Sequence, residues 1–221
     1  MTDRNVQRAG ALDVASLSDA MDKLRISGQC LGIRPLDPRF AMAGRAFTVR
    51  YEPVDIEKPG TVGDFIDDIP QGGVCVIDNN RREHMTVWGD IMTMVAHTQG
   101  IAGTVIDGAC RDVHLCRDLG YPVFVRSYSM RTGKGRVQVA GINTAVAIGG
   151  VLVKPGDLIV GGADGVVAIP QGREEEVLVL AEQIERVEEA IRREVENGKS
   201  LREAREHNAY HSLQTPDEDD R

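Results

Sequence analysis

The stretch from Gly89 to Asp112 constrains the fold more than any other part of the chain, because a Gly-Asp pair opens one predicted helix and an Arg-Asp pair opens the next. Between them, Ile91 to His97 has helical spacing, Gly100 is a stop, and Ile101-Ala-Gly-Thr-Val-Ile106 is an apolar run with strand character. The order is helix, strand, turn, helix. In such a unit the start of one helix and the carboxyl end of the adjoining strand converge, and open α/β sheets place ligands at such strand ends. Asp90, Arg111 and Asp112 are thereby predicted to gather two carboxylates and a guanidinium around the free amides of two helix N-termini. That is chemistry for a metal and an anion.

The flanking sequence continues the alternation. Val14 to Ile26 is a predicted helix with Leu17, Met21 and Leu24 on one face and Ser16 or Ser18 as its cap. Gly44 to Tyr51 alternates like a half-buried strand, Thr61 to Asp68 is a short helix capped by Thr61, Gly73 to Asp78 is an apolar strand ended by Asn79-Asn80, and Tyr121 to Arg126 is a further strand. From Arg136 to Ile169 five short strands are separated by Gly and Pro-Gly turns, a pattern expected of a small barrel or sandwich, with Asp164-Gly165 as a hairpin signal. Gly161-Gly162-Ala-Asp-Gly165 leads into a strand and lacks a following Lys-Ser/Thr pair, so it is a turn and not a phosphate loop. From Arg173 to about His207 runs a long charged helix with Val177, Leu180, Ile184, Val187 and Ile191 as its apolar stripe and a break at Asn197-Gly198. The fold class is α/β: a mixed sheet or barrel-like core covered by helices, with a long C-terminal helix. Residues 1–171 form the core, 172–208 a helical arm that either packs on another subunit or lies on the surface, and 209–221 an acidic tail.

With 221 residues and 42% apolar content the chain suffices for one substantial core. The net charge of -8 disfavours nucleic acid and anionic membranes as partners, and no apolar run reaches the roughly 20 residues that span a bilayer. The start of the chain lacks the apolar region of a secretory signal, which points to the cytoplasm. Cys30, Cys75, Cys110 and Cys116 form no Cys-x-x-Cys pair, so they are read as reduced thiols. Cys110, beside Arg111, admits a nucleophile reading, but no His is placed to serve it, and a small packed residue is the favoured account. His97 and His114 fall on helices as packing or surface residues. His207 and His211 share a spacing but lack the Glu of a metalloprotease site.

Asp90, twenty intervening residues, then Arg111-Asp112 resembles the Asp-x20-Arg-Asp motif of the class II pyruvate aldolases typified by 4-hydroxy-4-methyl-2-oxoglutarate/4-carboxy-4-hydroxy-2-oxoadipate aldolase, a superfamily that includes the regulator of ribonuclease activity A. Trp88-Gly-Asp-Ile-Met92, Gly103-Thr-Val-Ile-Asp-Gly108, Leu119-Gly-Tyr-Pro-Val-Phe124, Val153-Lys-Pro-Gly-Asp-Leu-Ile159 and Asp164-Gly-Val-Val-Ala-Ile-Pro170 are similar to it as well, so the likeness spans Ala15 to Arg193. The resemblance implies that Asp112 contacts a divalent cation, Mg2+ or Mn2+, and that Arg111 binds the pyruvyl oxygen and stabilises the enolate. It further implies that Asp90 holds a metal-bound water for proton transfer, and that Gly89, Asp90, Ile91 and Met92 offer amides to the pyruvyl carboxylate. Glu188, from the helix of a neighbouring subunit, and Asp19, where the family has Glu, are the implied outer carboxylates.

The chemistry is consistent with those roles. Retro-aldol cleavage of a 4-hydroxy-2-oxo acid must hold negative charge on the departing enolate, and a hard cation with an adjacent guanidinium can do so. The same electron sink would serve decarboxylation of oxaloacetate. A homotrimer or homohexamer acting on a small 2-oxo acid is the expectation. The alternative is a non-catalytic binding module like the ribonuclease regulator. Residue by residue, simpler accounts stay open: Asp90 as a helix cap, Asp112 as a complement to the helix dipole, Arg111 paired with Asp118, and Glu188 as a solvated charge.

Overall fold

Every residue of the strand Gly103–Cys110 is buried, as expected of a parallel strand covered on both faces. The computed structural model describes residues 3–210 and builds its sheet around this strand. In chain order the helices are α1 Arg4–Gly10, α2 Val14–Lys23, α3 Asp90–Gln99, α4 Val113–Asp118, α5 Glu174–Glu196 and α6 Leu201–His207. The strands are β1 Arg34–Pro35, β2 Met42–Pro53, β3 Val74–Thr86, β4 Gly103–Cys110, β5 Val123–Tyr128, β6 Val137–Ile142, β7 Val146–Ile148, β8 Val151–Val153, β9 Leu158–Gly162 and β10 Gly165–Ile169. An 8-stranded sheet has the order β1-β5-β4-β3-β2-β9-β10, with β6 also on β2, and β7 and β8 form a separate ribbon. β2, β3, β4 and β5 run parallel, and the outer strands antiparallel. This is the expected mixed α/β architecture.

Several local expectations are corrected. The first predicted helix is capped by Asp13, whose carboxylate accepts from the Ala15 amide, and Ser16 lies buried inside it. A helix ahead of it, α1, has no counterpart in the expected elements; Asp3 caps it by accepting from the Asn5 and Val6 amides. Thr61 caps nothing, because the segment is a 3-10 turn, Asp64–Asp68, that starts after Gly63. Asn79-Asn80 does not end the third strand. The chain bends there, with Asn80 and Arg81 at positive φ, and pairing with β4 resumes after register shifts on either side of Arg82. Such irregularities bend a strand and re-aim its end.

Of the five short strands expected of a small barrel or sandwich, β6, β9 and β10 join the main sheet, and β7 and β8 pair with each other. β2 is long enough to pair with β9 through Met42–Arg45 and with β6 through Val49–Pro53 on one edge, while Ala46–Arg50 pairs with β3 on the other. One strand thus joins both halves of the chain. The Asp164-Gly165 hairpin is present, with Gly162 paired to Gly165 across Ala163 and Asp164.

The long charged helix ends at Glu196, and a capping box at Ser200 and Glu203 starts α6. Its apolar stripe packs on its own chain: Val177, Leu178, Ala181 and Ile184 join Leu17 and Met21 of α2 and Ile169 of β10 in one core cluster. Arg45 of β2 clamps this layer, donating from Nε to Asp3 at 2.8 Å and from Nη2 to buried Glu174 at 3.0 Å, while Asn5 donates to Glu174 at 2.7 Å. His211 and the acidic stretch 217–220 lie outside the described residues.

Candidate functional site

The expected convergence is realised at the carboxyl end of β3 and β4. Beyond β3 the chain keeps to the edge of β4: the Val87 amide donates to Ala109 at 3.2 Å and the Arg111 amide donates to Trp88 at 2.9 Å. Those two bonds place Gly89 against the Arg111-Asp112 pair. Trp88 is buried and anchors the turn, stacking on Tyr121 at 6.2 Å and donating from its indole to Thr93 Oγ1 at 2.9 Å. The Thr93 hydroxyl in turn donates to the Gly89 carbonyl at 2.9 Å.

Gly89 is the N-cap of α3, and it supplies no side chain to satisfy the amides of the first turn. Carboxylates are drawn there instead. The Asp90 amide donates to Asp112 Oδ2 at 3.3 Å, and the Ile91 amide to Asp90 Oδ1 at 2.8 Å. The first bond inside the helix is from the Thr93 amide to the Gly89 carbonyl. Asp90 is therefore the first residue of the helix and not its cap. Gly100, in the left-handed conformation, closes the other end as expected.

Asp112 has φ 56° and ψ 38°, a left-handed backbone that Asp tolerates better than most residues. Its Oδ2 meets Arg111 Nε at 3.2 Å, so Arg111 is paired with Asp112 and not with Asp118. The side chains of Arg111 and Asp112 are 39% and 32% exposed, accessible to a ligand from solvent. A cavity of about 270 Å³ opens here, lined by Gly89 to Met92 and Arg111, with Trp88 and Thr86 behind them and Thr132 and Lys134 from the loop before β6. A groove of about 560 Å³ beside it is lined by Asp112, His114, Tyr128 and Met130.

Two carboxylates and two cations thus share the cavity region. Lys134 was not expected from the sequence, where an isolated Lys between Gly133 and Gly135 carries no motif. The outer carboxylates are elsewhere in the single chain. Asp19 lines a separate cleft between α2, the segment 29–34 and the β9–β10 hairpin, and Glu188 lies on α5, 3.6 Å from Arg192. The cysteines behave as packed residues. All four are buried, and desolvation pushes the Cys110 thiol up to about 12, far from a thiolate at neutral pH.

Among the described residues no three His, Cys, Asp or Glu side chains cluster as a metal cage. The available oxygens suit a cation that keeps most of its water, since Mg2+ is commonly held by one or two carboxylates alone. Asp112, partly exposed and with Oδ2 against Arg111 Nε and the Asp90 amide, is the carboxylate that could serve as such a donor.

Comparison with known proteins gives the same grouping. Residues 14–168 match the RraA-like family, described as Aldolase/RraA. Protein DlpA of Legionella pneumophila subsp. pneumophila is 40% identical over 200 residues, covering 89% of this chain but 32% of its own length, so the chain spans about a third of that relative. A Halalkalibacterium halodurans protein provisionally named 4-hydroxy-4-methyl-2-oxoglutarate aldolase is 36% identical over 81% of this chain and 82% of its own length. Among solved structures, Streptomyces coelicolor RraAS2, described as an unusual member of the RNase ES inhibitor RraA protein family, superposes with a TM-score of 0.78 at 25% identity, over 86% of this chain and 96% of that one. No described helix is long and apolar enough to cross a membrane.

Proposed function

The chain belongs to the RraA-like family, and from that premise we propose that it is a divalent-metal-dependent aldolase that cleaves a 4-hydroxy-2-oxo acid to pyruvate, with decarboxylation of oxaloacetate as a related activity. The observation that carries this reading is the meeting of the α3 N-terminus with Arg111 and Asp112 at one exposed cavity. In this reading Asp112 holds Mg2+ or Mn2+, with Glu188 of a second copy and Asp19 as outer carboxylates. The bound cation supplies Lewis-acid polarisation of the 2-oxo group.

The remaining work falls to the chain itself. The amides of Gly89 to Met92 bind the substrate carboxylate, displacing the local carboxylate contacts that now occupy two of them. Arg111 turns its guanidinium to the 2-oxo oxygen and holds the charge that develops there as the C3–C4 bond breaks. Asp90, exposed at the cavity, accepts the 4-hydroxyl proton through a water and returns it to C3, giving pyruvate and a carbonyl fragment.

The test is pyruvate release from oxaloacetate and from 4-carboxy-4-hydroxy-2-oxoadipate with purified protein and Mg2+. EDTA abolishes the expected activity, and Asp112→Asn, which keeps the left-handed backbone, lowers kcat/KM by about a hundredfold or more. Turnover indifferent to both changes rejects the site. A second reading, a docking module like the ribonuclease inhibitor, is favoured by the exposure of Tyr128 (63%) and Met130 (90%) beside the cavity. That reading expects binding to a protein partner with no pyruvate formed.

A further inference from the structure

We infer that Thr93 is a positioning residue that couples the α3 N-terminus to Trp88, through one chain of hydrogen bonds running from the buried indole to the amide that meets a bound carboxylate. This deepens the aldolase reading and rests on its assignment of the substrate carboxylate to the Gly89 to Met92 amides. The chain begins at Trp88, whose indole N–H donates to Thr93 Oγ1 at 2.9 Å. The Thr93 hydroxyl donates to the Gly89 carbonyl at 2.9 Å, and the peptide that carries this carbonyl presents its N–H, that of Asp90, to Asp112 Oδ2 at 3.3 Å. Donors and acceptors alternate without a break from the core to the cavity.

The direction of the chain is fixed by its chemistry. An indole N–H only donates and a carbonyl only accepts, so the single hydroxyl proton of Thr93 belongs to Gly89. Cys116 Sγ, 3.4 Å from Thr93 Oγ1, is left to act as a donor, and burial raises its thiol and keeps it protonated. Trp88, Thr93 and Cys116 are all buried, so water does not compete for these bonds. A helical threonine often bonds back to the carbonyl four residues earlier, as Thr98 does to Met94 at 2.8 Å on an exposed face. Thr93 differs because the same oxygen also accepts from the core. Hydrogen bonds in such a chain polarise one another, so a shorter bond at the Asp90 amide strengthens each bond behind it. The present contact of that amide with Asp112 is long, and a ligand carboxylate at about 2.8 Å would tighten it.

Trp88 is the one tryptophan of the chain, so its indole N–H gives a single resonance in a proton–nitrogen correlation spectrum. The full-length protein with Mg2+ is titrated with pyruvate, followed by that resonance and by calorimetry. The expected result is a downfield movement of the indole proton that saturates with the calorimetric Kd. Thr93→Val, which keeps the side-chain shape and removes the hydroxyl, weakens pyruvate binding about fivefold and abolishes the movement at saturating pyruvate, whereas Thr93→Ser retains both. Thr93→Ala gives the same comparison should the valine variant fail to fold. A resonance indifferent to bound pyruvate, a movement that persists without the hydroxyl, unaltered affinity in Thr93→Val, or no binding of pyruvate to the wild type overturns the assignment. Pyruvate release from the aldol substrates separates the two ideas. An indole resonance that follows the titration without any wild-type turnover rejects the aldolase reading alone, whereas turnover with an indifferent resonance rejects the role of Thr93 alone.

Discussion

Gly89 is required by close approach and not by backbone torsion. Its φ of -150° is open to any residue, but a Cβ would sit 2.9 Å from Asp112 Oδ2 and 3.3 Å from Arg111 Nε. Gly89→Ala should therefore fold normally and misplace the pair. Its thermal midpoint is expected within a few degrees of wild type, while kcat/KM for pyruvate release falls by about a hundredfold, since displacements of about 1 Å have that effect on reacting groups. A parallel loss of both would instead place Gly89 in the folding core. Asp112 shows the complementary constraint, because its left-handed backbone restricts replacements to residues such as Asn or Gly. The motif residues were legible in the sequence because their spacing is fixed by one helix and one strand. Lys134 was not, because its place at the site depends on a non-local contact between Gly133 and Thr86.

At the scale of elements, ion pairs hold the helical layer to the sheet. Glu174 starts α5, its side chain is 5% exposed, and Arg45 and Asn5 converge on it. Glu174→Ala leaves the partly exposed Arg45 guanidinium with Asp3 alone among the carboxylates, and urea unfolding should show a loss of about 1.5–3 kcal/mol. A loss below 1 kcal/mol would show the clamp to be incidental. The junction of α5 with α6 is set by exposed charges: Lys199 and then His207 hold the Glu194 carboxyl below its usual range, and Ser200 does the same for Glu203. Both folded-state values are depressed, so their stabilisation is present above the unfolded carboxylate pKa of about 4.3 and is lost as pH falls through the folded values. The protection of the α6 amides, after correction for the intrinsic exchange rate at each pH, should accordingly stay constant from neutrality to about pH 5 and fall below about pH 4, ahead of α5. The helical stripe and its break at Asn197 were readable from periodicity. The partner of that stripe was not, since a single amphipathic face is compatible with α2 of the same chain or with another molecule.

For the molecule as a whole, three of the five short strands expected of a small barrel or sandwich, β6, β9 and β10, belong to the main sheet because β2 offers its two ends to different strands, a property of length and bend that short-range patterns do not encode. The parallel centre was readable because burial on both faces leaves an unbroken apolar run in β4. The cavity sits at the carboxyl end of β3 and β4, beyond their register shifts, where the Val87 and Arg111 amides bond across to Ala109 and Trp88. Because both of its segments are tied to the buried strand β4, the site exists only where that scaffold is assembled. Its capacity to take up a ligand should therefore serve as a gauge of how many molecules in a preparation are natively assembled.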